Sequence, residues 1–158
     1  MKRNIAFILL LTQMYFLMGM GRVPLVSDQK CALCGREVHH DMFANLTFKN
    51  GESEPACCLQ CAITYEKQTG KKAEYITVTD YYSHETVDSQ KAFFVIRSNI
   101  SPCCNKEILR IPNGNALMLK YDRCLPSIIA FENKDNATKF MTEHGGTLET
   151  IQDIRSSD

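Results

Sequence analysis

The stretch ACCLQCAITYEKQTG, Ala56 to Gly70, sets three thiols at Cys57, Cys58 and Cys61 and then changes character. Leu59, Ala62, Ile63 and Glu66 follow at helical spacing, and Gly70 supplies the stop. Cys58-x2-Cys61 therefore opens a helix. A helix N-terminus carries partial positive charge and unsatisfied N–H groups, both of which favour thiolates. A second cluster, CALCG (Cys31 to Gly35), precedes it, and its glycine permits a turn that other residues resist.

Between the two clusters, Val38 and MFANLTFKNGESEP predict two strands joined at Asn50-Gly51. After the helix, AEYITVTDY is rich in β-branched and aromatic residues and predicts a strand. The order then returns. KAFFVIRSN and EILRIPNGNALMLKYD predict strands, the latter turning at Asn113-Gly114, and SIIAFENK predicts another. A helix in NKDNATKFMTEHGG, capped by Asn133 or Asp135, closes at Gly145-Gly146, and the alternating TLETIQDI predicts a last strand. The expectation is an α+β protein of two tandem ββαβ units, residues 22–82 and 83–158, joined through the polar Tyr81–Gln90 stretch.

Cys31, Cys34, Cys58 and Cys61 form two Cys-x2-Cys elements, one on a turn and one on a helix start. Four thiolates so gathered suit tetrahedral Zn²⁺, and the arrangement resembles a treble-clef zinc finger. Cys57, Cys103, Cys104 and Cys124 stand outside that set. They are candidates for a second site, where two or three thiolates would suit Cu(I), or for disulfides or buried apolar thiols. A disulfide framework and redox exchange are the alternatives for the whole set. The adjacent pairs Cys57-Cys58 and Cys103-Cys104 argue against the first, because neighbours rarely bridge without strain.

Eight cysteines in 158 residues is the compositional signal, about three times ordinary usage. Formal net charge is +0, so no electrostatic argument favours a nucleic-acid partner. Met1-Lys2-Arg3 and the apolar run Ile5 to Met20 begin the chain. At about 1.5 Å per residue that run reaches roughly 24 Å, short of the roughly 30 Å hydrocarbon core. Residues 1–21 are thus expected to be an export signal, or else an uncleaved anchor associating the chain with the membrane. The mature chain is expected outside the cytoplasm, in the periplasm or on the outer membrane face. His39 and His40 are possible additional imidazole ligands, Met42 a possible thioether, and each has an ordinary surface or core explanation. His84 and His144 read as loop and helix-end residues. No Ser-His-Asp order, phosphate loop or paired carboxylates argue for hydrolysis.

TVTDYYSHETVDSQKAFFVIRSN and PSIIAFENKDNATKFMTEHGGTL resemble the NosL family, accessory proteins of nitrous oxide reductase maturation. The shared positions are Thr79-Asp80-Tyr81, Asp88, Lys91-Ala92-Phe93-Phe94-Val95 and Ser98. They continue with Ala130-Phe131, Ala137, Phe140 and His144-Gly145-Gly146. The resemblance spans roughly Cys31 to Ile154. It implies an extracytoplasmic Cu(I)-binding protein that hands copper to a client, on a fold shared with the organomercurial lyase MerB. Cys31, Cys34 and Gly35 match the family's metal-ligating Cys-x2-Cys-Gly-Met stretch, and Arg36 stands in place of its methionine. The family's lipoprotein cysteine is absent, and Cys57, Cys58, Cys61, Cys103, Cys104 and Cys124 exceed its simplest pattern.

The expected task is therefore that of a Cu(I) chaperone or carrier, binding Cu(I) and/or Zn²⁺. A zinc-stabilised structural or interaction module is the first alternative. A thiol-dependent lyase or redox enzyme is the second, with Asp41 or Asp122 as the acid.

Overall fold

The computed structural model describes residues 29–101, 106–107, 112 and 124–156. The N-terminal apolar run, the Asn113-Gly114 turn, Asp122, Cys103 and Cys104 lie outside them. Among the described residues no helix is long and apolar enough to cross a membrane.

Two antiparallel sheets carry the architecture, with helices packed on them. The first contains β1 (Ala44–Thr47), β2 (Ser53–Ala56), β3 (Tyr75–Thr79) and β4 (Thr86–Asp88), in the order β2-β1-β3-β4. Thr47 faces Ser53 across the first hairpin, so its loop is longer than a two-residue Asn-Gly turn. Phe48 N–H closes it on Glu52 O at 2.9 Å. Helix α1 (Leu59–Thr69) runs between β2 and β3 and ends at Gly70, whose φ of 69° is left-handed. It buries Leu59, Cys61, Ala62, Ile63 and Glu66, the face that the spacing predicts plus one thiol.

The second main sheet has the order β8-β5-β9, from β5 (Phe93–Ile96), β8 (Ile128–Phe131) and β9 (Thr147–Glu149). Helix α2 (Lys134–His144) joins β8 to β9, and the Asn133 side chain caps it by accepting the N–H groups of Asp135 and Asn136. A small pair, β6 (Ile100–Ser101) and β7 (Lys106–Glu107), lies between β5 and β8 in sequence. In each main sheet the earliest strand is central. The strand before the helix flanks it on one side and the strand after the helix on the other. The two halves thus share one strand order. β4 comes from the stretch expected to join them and extends the first sheet.

One expected element differs. TLETIQDI forms β9 only to Glu149, and α3 (Ile151–Ser156) follows. Thr150 and Asp153 cause the change. The Asp153 carboxylate accepts the Thr150 N–H at 2.9 Å and its hydroxyl at 2.6 Å, while Asp153 N–H donates back to Thr150 Oγ at 3.3 Å. That reciprocal cap starts a helix, which then buries Ile151 and Ile154 one turn apart.

Among the described residues the halves meet at several places. Tyr81 N–H donates to Ala130 O at 3.0 Å, beside a parallel bridge between Asp80 and Ala130. Arg155 of α3 reaches back to Glu66 of α1 at 2.9 Å. The larger apolar core contains residues of both halves, and five of the described cysteines belong to it.

Candidate metal centre

Cys31 and Cys34 lie on a tight turn. The chain closes it at its base through a Lys30–Glu37 bridge and the Cys31 N–H to Arg36 O bond of 2.8 Å. Inside it Gly35 N–H donates to Cys31 O at 2.9 Å, and Gly35 sits at φ 71°, in the left-handed region where a side chain is strained. Ala32 N–H donates to Pro55 O at 2.8 Å, which pins the turn to the end of β2. β2 then delivers Cys57. Cys58 is the extended N-cap residue of α1, and Cys61 lies in its first turn. Cys124 arrives from the other half, just ahead of β8.

These six sulfurs form two overlapping groups. Cys31, Cys34, Cys57 and Cys61 make one, and Cys57, Cys58, Cys61 and Cys124 the other, with ligand atoms in each lying within 4.8 Å of one another. The Cys57 sulfur lies 3.5 Å from Cys34, 3.5 Å from Cys61 and 3.6 Å from Cys124. These separations far exceed an S–S bond of about 2.05 Å, so no disulfide joins these six. The expected first set, Cys31, Cys34, Cys58 and Cys61, is thus arranged with Cys57 beside Cys31 and Cys34, while Cys58 faces Cys124. Cys57 precedes the extended N-cap Cys58, so its approach to Cys61 follows from the bend between β2 and α1 rather than from helical spacing. Five of the six are buried and Cys34 is half-buried.

Burial and crowding hold the protons on. Burial first, and then contacts with Cys31 and Cys57, push the Cys34 thiol up to about 12 against the lowering pull of the Arg36 N–H. Cys58 is raised well above the ordinary thiol value, first by its contact with Cys124 and then by Cys57. Cys61 is raised too. The contact with Cys124 lowers it, and those with Cys31, Cys57 and Cys58, with burial, outweigh that. Without a cation Cys34, Cys58 and Cys61 therefore hold their protons at neutral pH, and an ion that binds them must displace those protons.

The donor set is all sulfur. Among the described residues no histidine or carboxylate joins either group. His39 and Asp41 are exposed and belong to neither group. Met42 is half-buried against the second apolar cluster, and His144 stacks on Phe140 at 4.6 Å. Arg36, at the position where the NosL pattern has methionine, directs Nη1 toward the Cys124 sulfur at 4.0 Å. Sequence reading had no signal for that contact. Soft thiolates with one cation at their edge suit a soft metal ion, and the centre fits Cu(I) or Zn²⁺ by the chemistry of its donors.

The copper chaperone NosL from Shewanella denitrificans has a similar crystal structure, with a TM-score of 0.60 and 16% sequence identity. The superposition covers 84% of this chain and 93% of that one, so the fold is NosL-like. The HTH-type transcriptional repressor CutR of Bacillus subtilis is 23% identical over 125 residues, covering 79% of this chain. The match spans 56% of CutR, so the chain corresponds to little more than half the length of that curated relative. No protein-family model matches the chain.

Proposed function

We propose that this chain is an extracytoplasmic carrier of Cu(I), held by thiolates and passed to a client protein by ligand exchange. The observation that carries this reading is the convergence of six thiols from both halves on one buried spot, with only Cys34 half-exposed. Burial keeps oxidants and water away from the ion. Cys34 gives a client thiol a place to attack. The entering sulfur binds the ion as the Cys34 sulfur leaves, and the client thiol's proton passes to Cys34. The N-terminal apolar run supports export, and the net charge of +0 supports a protein rather than a nucleic acid as recipient.

One arrangement favours a second reading, a zinc-stabilised module of treble-clef type. The Cys31–Cys34 turn, the β1–β2 hairpin and a helix that starts at Cys58 follow the order such a finger needs. Metal content and a free-thiol count on protein purified anaerobically without chelator decide between the two. The carrier reading expects copper with thiols unoxidised, and Cu(I) that moves to a thiol acceptor. One tight zinc with no copper uptake overturns it.

A further inference from the structure

We propose that the cluster holds two monovalent ions in a single thiolate-bridged centre, with Cys57 and Cys61 as the bridges. The proposal rests on the Cu(I) reading and adds its stoichiometry and internal order. Cys57 and Cys61 belong to both sulfur groups and lie 3.5 Å apart. Cys31 and Cys34 complete one group, and Cys58 and Cys124 the other. Cys57 touches a sulfur of each outer pair, Cys34 at 3.5 Å and Cys124 at 3.6 Å. Two independent four-sulfur sites would need more thiols than these six. Sharing one edge lets both groups be complete.

The shared edge also sets how close the two ions would sit. With metal–sulfur bonds of about 2.3 Å, two tetrahedra sharing an edge bring their centres to roughly 2.7–3 Å. At one separation the repulsion between two singly charged ions is about a quarter of that between two doubly charged ones. Two Cu(I) ions therefore fit side by side on the shared edge. Cu(I) also tolerates low coordination, so the two bridges and one outer thiolate per ion suffice. The bridges are placed by the backbone, Cys57 in the bend just after β2 and Cys61 in the first turn of α1.

Anaerobic titration of the full chain with Cu(I), followed by native mass spectrometry and copper X-ray absorption, tests this. The expected result is two Cu(I) per chain with a copper–copper distance of roughly 2.7–3 Å. Cys61→Ser, checked for folding by circular dichroism, drops to at most one Cu(I) and loses that distance. A Cys103→Ser/Cys104→Ser double variant keeps both ions, and loss of one there would overturn the assignment. One Cu(I) per chain, or two without a short copper–copper distance, overturns the bridged centre and leaves the carrier reading standing. No Cu(I) binding overturns both. The unsubstituted chain decides these outcomes even where a variant fails to fold.

Discussion

The sulfur of Cys57 lies 3.6 Å from that of Cys124, across 67 residues of chain. A strand-to-helix junction in the first half and the segment leading into β8 in the second thus end at one point. An ion bound there would add a link between the halves to the shared apolar core.

Metal should therefore act on stability through Cys124. Cu(I) at about one hundred times its dissociation constant stabilises the folded chain by about 2.7 kcal/mol. Calorimetry under anaerobic conditions should show a melting temperature raised by about 10 °C, reversed by a Cu(I) chelator. In Cys124→Ser the rise should shrink to less than half. An equal rise in that variant would show that the ion does not join the halves.

Glu66 is 2% exposed and its carboxylate is held by Arg155 at 2.9 Å and by the Ala73 N–H at 2.8 Å. Arg155→Ala leaves that charge with one partner in a dry site. Arg155 is 31% exposed, so water recovers part of the loss, and urea denaturation should show a cost of about 2 kcal/mol. A change below about 0.5 kcal/mol would show that α3 does not hold α1.

Asp80 makes stability depend on acid. Burial pushes its pKa up, but the Ser83, Glu132 and Tyr82 N–H groups and the Ser83 hydroxyl outweigh that and hold it below the ordinary carboxylate value. A depressed folded pKa means the unfolded chain binds the proton more readily. The stabilisation is present above the unfolded value of about 3.9 and is lost as pH falls through the folded one. Asp80→Asn should be destabilised at pH 7, and should lose less additional stability than the parent between pH 4 and lower values. Parallel pH curves for the two proteins would contradict this.

Gly146 has a stricter requirement than its neighbour. Its φ is 101°, and a Cβ there would meet Ile96 O at 2.5 Å and Val95 Cγ1 at 2.9 Å, whereas a Cβ at Gly145 meets nothing within 4 Å. Gly146→Ala must push β9 away from β5, at a cost of about 2 kcal/mol or more in denaturant unfolding. Gly145→Ala pays only for its φ of 70° and should cost less. The reverse order would show that the β5–β9 contact yields.

Most of the fold was legible in local sequence. The apolar spacing from Leu59 to Glu66, the Asn133 cap and the stops at Gly70 and Gly145 act within one turn of chain, so periodicity and capping rules suffice to place both long helices. The repeated strand–strand–helix–strand order was legible for the same reason. The last segment misled because apolar–polar alternation in TLETIQDI outweighed Thr150 and Asp153, a cap pair whose spacing was visible. For the centre, the Cys31–Cys34 turn and the Cys58–Cys61 helix start were evident, while the part of Cys57 beside Cys31 and Cys34 was overlooked in favour of the x2 spacing.

What sequence by itself determined about this protein is its stock of local parts, namely two thiol pairs, the turns that bend them, the helices and the repeated order of strands. Tertiary structure alone decided which sulfurs meet. Cys124 reaches Cys57 only because Tyr81 and Ala130 join the sheets and α3 closes onto α1, setting both halves around one core. Arg36 finds Cys124 for the same reason. Contacts between residues far apart in the chain follow from how apolar faces stack, and spacing along the chain carries no record of that.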